Sequence, residues 1–449
     1  MKRKNTSNDP FTYEGYDLEG REGKIRLTCR YSIGELEFNE IVTFDSPESR
    51  MSEGLDEAAR LVFLLAGVSY YKTKAPSTID LGNVRTTGSE REFLLNYYRS
   101  GLAEFAYRNR LDLSDIVVVG PERDDHEPVQ YKSDPGRPLV PFGGGIDSIV
   151  AVESVKASFP EAALFVVSPP GERFDAIENA IGVTGLEAIR CEREIDRGLL
   201  NSKEVGFLNG HVPITGIISA VAVMAAVLHG RDCVVMSNEW SASLGNLLFD
   251  GREVNHQWSK GVEFEREFRD LLTDTFEDGP EYFSILRPRS ELWVSKRFSE
   301  LCSYHRVFRS CNRAFHQDRE LRLESWCGEC DKCCFIDLIL SAFMDARELK
   351  EIFAPYEPLE NPDLVEKFRT LLGIDERSKP FECVGGVDEC RAAIVLSSRR
   401  EDRSNSALLQ RLANELRDAS AGGPAEVDCT TLLAPLGDHY IPDDYLIAD

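Results

Sequence analysis

The sequence predicts an α/β fold: a parallel sheet covered by helices, a zinc-knit C-terminal part, and an extra α+β domain in front. Three observations lead there. From Leu139 onward, short apolar runs alternate with stretches of helical length. That alternation builds parallel sheets, because each crossover between parallel strands needs a helix. Before that, up to residue 45, apolar and polar residues alternate with a period of two, as in Ile25, Leu27, Cys29 and Tyr31 and again Leu36 and Phe38. This reads as antiparallel strands. Finally, four of the twelve cysteines crowd together as Cys327, Cys330, Cys333 and Cys334, a density that points to metal when no secretory signal is read.

Taken in order, residues 55–66 and 92–107 are expected as helices, and 115–119 as a short strand closed by Gly120 and Pro121. The charge-, Pro- and Gly-rich stretch 122–138 reads as a linker. Strands are then expected at 139–142, 164–167, 233–236 and 283–286, with helices at 148–157, 174–181, 214–228 and 291–303. Ligands of such sheets bind at the carboxyl ends of strands. Helices follow at 336–346, 361–372 and 406–419, and 419–424 reads as a loose connection. The expected division is an N-terminal α+β domain (1–130), a catalytic domain (131–346) and a mixed α/β extension (347–449).

Composition narrows the function. The 449 residues are 42% apolar and 29% charged, with a net charge of −25. No run approaches the ~18 apolar residues of a membrane helix. The start, MKRKNTSNDP, has basic residues but no apolar core after them, so a cytoplasmic location is expected. The acidic balance argues against a nucleic-acid partner but not against an anionic small molecule. Between residues 287 and 313, Arg287, Arg289, Lys296, Arg297, Arg306, Arg309 and Arg313 face only Glu291 and Glu300, a local positive field. The isolated cysteines, Cys383 among them, read as buried, reduced thiols. Oligomeric state is left open.

The strongest motif is Leu139-Val140-Pro141-Phe142-Gly143-Gly144-Gly145-Ile146-Asp147-Ser148. An apolar strand runs into three glycines, and Asp-Ser opens a helix. Glycines bring backbone N–H groups close to an anion, and a helix start adds unpaired donors and partial positive charge. Ser148 adds a hydroxyl, and Asp147 caps the helix or helps hold magnesium. The Gly-Lys-Ser/Thr end of a Walker A loop is absent. Gly143 to Ser148 resembles the Ser-Gly-Gly-x-Asp-Ser signature of the PP-loop ATP pyrophosphatases, with Gly143 in place of the first Ser. The resemblance implies an adenine nucleotide alpha hydrolase-like core in which Gly143, Gly144, Gly145, Asp147 and Ser148 hold the pyrophosphate part of ATP.

Cys311, Cys327, Cys330 and Cys333 follow C-x15-C-x2-C-x2-C. Four thiolates suit a closed, structural zinc site, with an iron–sulfur cluster as the chemical rival. Cys334 and Cys302 compete for places in the set. Deazaguanine nitrile synthases of the PP-loop superfamily are similar here: strand, Pro, Lys-bearing helix, then four cysteines. By that likeness Ile285-Leu286-Arg287-Pro288 precedes a helix whose Lys296 faces ATP phosphates.

The chain length, the glycine loop and three further runs together resemble the UDP-N-acetylmuramoyl-L-alanyl-L-glutamate epimerases of bacterial cell-wall synthesis. The runs are residues 209–216, 236–243 and 255–261. The resemblance implies ATP, Mg2+ and Zn2+ as cofactors and UDP-MurNAc-L-Ala-L-Glu as substrate. Its terminal carboxylate would be adenylated, with release of AMP and pyrophosphate, so that the α-proton becomes removable. His211, Glu239 and His256, in loops expected near the strand ends, are the candidate acid/base residues. The N-terminal domain is the candidate grip for the nucleotide sugar. Its Gly67-Val68-Ser69-Tyr70-Tyr71-Lys72 run reads either as an aromatic and cationic contact or as an ordinary helix end. The rival readings are another PP-loop adenylating enzyme (amidation, nitrile formation or thiolation) and a non-catalytic, zinc-stabilised nucleotide-binding module.

Overall fold

The computed structural model describes residues 9–46, 51–123, 127–249, 251–316, 319–374, 379–420 and 428–447. Most of the first ten residues, part of the expected linker 122–138 and most of the connection 419–424 lie outside them.

The period of two at the start of the chain builds a meander. Strands β1 (Phe11–Arg21), β2 (Lys24–Ile33) and β3 (Leu36–Asp45) pair antiparallel in succession. Ile25, Leu27, Cys29 and Tyr31 all point inward and are at most 1% exposed. Helix α1 (Glu53–Ala66) starts where the Ser52 hydroxyl accepts from the Leu55 amide at 3.1 Å, a side-chain cap on an otherwise orphaned donor. The meander continues into β4 (Thr78–Asp80) and β5 (Val117–Val119), both parallel to β1. The single helix expected at 92–107 is two, α2 (Gly88–Gly101) and α3 (Ala103–Asn109), broken at Leu102. A capping box between Thr87 and Glu90 sets the start of α2 four residues earlier than expected.

The second half of the sheet is parallel: β6 (Leu139–Pro141), β7 (Ala163–Ser168), β8 (Ala188–Glu194), β9 (Cys233–Met236) and β10 (Glu281–Ser284). The order across the sheet is β10-β9-β6-β7-β8-β3-β2-β1-β4-β5. The two halves are one sheet, because β8 pairs antiparallel with β3 and a buried Arg193–Glu40 bond of 2.7 Å crosses the seam. Both faces of the parallel part are covered. Leu139, Phe165 and Val234 enter one apolar cluster, and their neighbours Val140, Leu164 and Val235 enter the other. That is why these strands read as unbroken apolar runs.

Helices α4 (Ile146–Lys156), α5 (Asp175–Thr184), α6 (Ile214–Leu228), α7 (Val262–Thr275) and α8 (Glu291–Ser299) cover the sheet. After the cysteines come α9 (Asp331–Ser341), α10 (Val387–Ser398) and α11 (Ala407–Ser420). Among the described residues no helix is long and apolar enough to cross a membrane.

The chain leaves β6 toward β7 and β8 on one side, then returns to place β9 on the other side of β6. This reversal opens a crevice at the carboxyl ends of β6 and β9, where open α/β sheets bind ligands.

Candidate functional site

A cavity of about 400 Å³ fills that crevice, lined by residues 141–143, Gly145, Asp147 and Ser148 from the glycine loop, and by Met236, Ser237 and Asn238 after β9. Gly144 makes the turn. Its φ of +73° is left-handed, and a Cβ there would sit 3.1 Å from the Ala176 carbonyl oxygen. Gly145 stands at the N-cap of α4 with no side chain capping the helix. Ser148 turns its hydroxyl back to donate to the Gly145 carbonyl at 3.0 Å. The open amide end of α4 therefore faces the cavity, a ready anion site.

Two lysines line the same cavity, Lys260 and Lys332. Neither was singled out by sequence. Burial works against the charge of Lys260, but Cys383, Glu239, Asp147 and Glu291 outweigh it and hold the ammonium above its ordinary range. Lys332 donates to the Cys383 carbonyl. The structure does not bring Lys296 to this cavity. It is on the solvent side of α8, whereas Leu292, Val294, Ser295 and Phe298 of the same helix are buried.

Glu239 joins Asp147 and Glu291 in a trio whose carboxylate oxygens lie within 4.8 Å of one another. Burial, then Glu239 nearby, lifts the Asp147 carboxyl to about 6. Burial, then Asp147, lifts Glu291 well above the carboxylate range. Among the described residues no donor outside the trio reaches Oδ1 of Asp147 or Oε2 of Glu291. Three clustered carboxylates with spare oxygens are a donor set for a hard divalent cation such as magnesium.

Arg287 holds this wall in place. Its guanidinium, 1% exposed, pairs with Glu265 and donates to the carbonyls of Glu239 at 2.9 Å and Lys260 at 2.6 Å. Arg289 is likewise internal, stacked over Trp293 at 4.5 Å. The two arginines read as part of a positive field are thus internal supports. Replacing Arg287 with Ala is expected to lower stability by about 3–5 kcal/mol, because it strands a buried carboxylate. Urea unfolding measures this. Of the basic segment, Arg309 does reach the cavity. It also lines a second cavity of about 510 Å³, together with Arg173, Arg319 and Arg322.

His211 and His256 lie side by side, ring centroids 4.1 Å apart. Nδ1 of His256 bonds to the buried Glu104 carboxylate, and the next residue, Gln257, donates through Nε2 to the Val384 carbonyl at 3.4 Å, which brings this run beside Cys383. Cys383 itself lines the cavity. Burial opposes the charge of His256, but Cys383 and Glu104 raise it to about 9. Burial, then its charged neighbour, pushes His211 down to about 3. Burial alone would raise the Cys383 thiol, yet Lys260, the neighbouring His256 and Lys332 bring it down to about 6. Cys383 is half-buried on the cavity wall rather than the fully buried thiol expected.

Cys311, Cys327, Cys330 and Cys333 come together with all four sulfurs within 4.8 Å. Cys302 is exposed and Cys334 is buried outside the group. Amides of Glu329, Cys330 and Cys333 donate to Cys327 or Cys330 sulfurs at 3.3–3.5 Å, which favours thiolates. Gly328, at φ +68°, permits the knuckle, since a Cβ would lie 2.7 Å from the Tyr356 carbonyl oxygen. The cluster could hold a metal ion. Cys330 is also the N-cap of α9, so the knot sets the helix turn that carries Lys332.

In the N-terminal region, Tyr70 and Tyr71 are core residues at 0% exposure. Lys72 donates to the Gly210 carbonyl at 3.0 Å, which steadies the loop before His211. The run 67–72 is thus a helix end and not an open stacking platform.

Comparison with known proteins finds relatives along most of the chain. Residues 2–285 match the family model of the MurL N-terminal domain, and residues 307–426 that of the MurL C-terminal domain. Three curated relatives are each named UDP-N-acetyl-alpha-D-muramoyl-L-alanyl-L-glutamate epimerase. The one from Salinispora tropica is 36% identical, covering 97% of this chain and 94% of its own length. The one from Micromonospora sp. is 35% identical over 97% of both chains. That from Xanthomonas oryzae pv. oryzae is 34% identical, covering 86% of this chain and 84% of its own. With both halves matched and near-full-length relatives above 30% identity, the chain belongs to the MurL family.

Proposed function

We propose that the protein inverts the terminal glutamate of UDP-MurNAc-L-Ala-L-Glu, from L to D, after adenylating its α-carboxylate with ATP as co-substrate. The observation that carries this reading is the uncapped start of α4, set at the sheet's switch point and flanked by Lys260 and Lys332. Backbone donors and two ammonium groups around one crevice suit a polyphosphate. The names of the relatives supply the substrate and the epimerisation.

The chemistry explains why an epimerase needs such a crevice. The α-hydrogen beside a carboxylate is scarcely acidic, because its removal adds charge next to an existing anion. In the mixed anhydride the carbonyl is neutral and accepts the electron pair as an enolate. A base takes the proton from one face and an acid returns one to the other. Water then releases AMP and the D-glutamyl product. Magnesium held by Asp147, Glu239 and Glu291 would draw charge from the phosphates and assist loss of pyrophosphate. The arginine-lined cavity that shares Arg309 is the place we assign to the substrate diphosphate.

The test is incubation with ATP, Mg2+ and the L-glutamyl muramyl nucleotide, assaying pyrophosphate, AMP and glutamate configuration together. Stoichiometric AMP and a D-glutamyl product are expected. Inversion without AMP would remove adenylation from the reading.

A further inference from the structure

Cys383 reaches the cavity from the loop before α10, far in sequence from the glycine loop, and arrives with a support behind it. Glu104 from α3 holds His256, and Gln257 beside it donates to the Val384 carbonyl at 3.4 Å, which sets His256 next to Cys383. Glu104 is 4% exposed at its side chain and His256 12%. The carboxylate–imidazole pair is thus shielded from solvent, while Cys383 beside it lines the crevice. The order matters, because a carboxylate behind an imidazole fixes the ring and favours its charged form, which in turn favours the thiolate. Lys260 and Lys332 line the same cavity as Cys383, Lys332 donating to its carbonyl, and the His211 ring lies tilted beside His256 at 4.1 Å between centroids.

We propose that Cys383 is a catalytic residue that carries the α-proton of the activated glutamyl unit on one face, with His256 and Glu104 as its positioning residues. This rests on the adenylation and inversion reading above and names the group that reading left open. In the step, the Cα–H bond breaks and an S–H bond forms on Cys383. The electron pair moves into the bond to the activated carbonyl, giving the enolate. A new Cα–H bond forms on the opposite face with a proton from a second acid, and the thiol returns its own proton to solvent. No oxidant or reductant is consumed. A thiolate suits this step because it is weakly hydrated for an anion, and at neutral pH Cys383 is already in that form to accept the proton.

The full-length wild type, C383A and C383S are compared in D2O with ATP, Mg2+ and the L-glutamyl substrate. Three quantities are followed: pyrophosphate release, inversion, and deuterium entering the α-position. For both variants inversion and deuterium entry are expected to fall at least 1,000-fold, while pyrophosphate release falls less than tenfold. Serine keeps the shape but not the acidity of the thiol, so C383S retaining a tenth of wild-type inversion would overturn the proposal. Parallel loss of pyrophosphate release in both variants would also overturn it, as the mark of a structural role. The adenylation reading is judged separately. Wild-type inversion without pyrophosphate release refutes it, while deuterium entry still judges Cys383. A second readout follows iodoacetamide labelling of Cys383 by mass spectrometry against pH. A midpoint near 6 is expected, moving up by at least one pH unit in H256N. An unchanged midpoint in H256N would refute the positioning role.

Discussion

Asp147→Asn is expected to lower ATP-dependent pyrophosphate release by roughly 1,000-fold, about 4 kcal/mol of transition-state stabilisation, while making the metal-free protein more stable. The two effects have one cause. Asp147 shares a buried corner with Glu239 and Glu291, and burial with the nearby Glu239 lifts its carboxyl to about 6. The sign follows from the direction of the shift. A carboxyl whose folded value lies above its unfolded value of 3.8 holds a proton that the unfolded chain has already released. Its contribution to stability therefore falls as pH rises from about 4 through about 6, and at pH 7 it is destabilising. Asn removes that charge without changing shape. A gain of roughly 1 kcal/mol is expected in thermal unfolding at pH 7 with chelator present, shrinking toward zero near pH 4. Loss of both activity and stability would show Asp147 to be a plain helix residue. Unchanged pyrophosphate release would remove the trio from ATP handling.

The second large effect concerns the four cysteines. Cys330→Ser is expected to abolish binding of one zinc per chain and to lower the unfolding temperature by on the order of 10 °C, since structural zinc supplies several kcal/mol to folding. The site is closed, with four sulfurs and amide donors to Cys327 and Cys330, so no position is left for catalysis. Metal analysis of purified protein and melts with and without chelator test this. Iron in place of zinc, with visible absorbance, would assign a cluster instead. Because Cys330 and Cys333 flank Lys332, affinity for ATP is expected to weaken together with the metal.

What the sequence disclosed and what it hid divide along physical lines. The glycine loop was legible because strand, turn and helix start are consecutive in the chain. All four clustered cysteines were legible too, three of them within one short run and Cys311 by its place before that run. Lys260, Lys332 and Cys383 were not, because each is an ordinary residue in its own neighbourhood and meets the others only through folding. Lys296 drew attention by its place after a Pro, but Leu292, Val294, Ser295 and Phe298 claim the inward face of its helix. Strand β8 was missed because its run, Ala188-Ile189-Arg190-Cys191-Glu192-Arg193-Glu194, carries charge on both faces. The burial of Arg193 depends on Glu40, which is distant in sequence.

That distant pair also fixes how the chain can be divided. The edges of β3 and β8 satisfy each other's amides and carbonyls along residues 41–44 and 191–194. Any cut that parted the opening meander from the nucleotide half would leave two raw borders, each a template for foreign strands. The two halves are therefore expected to fold as a single unit, and a soluble fragment must keep this seam closed.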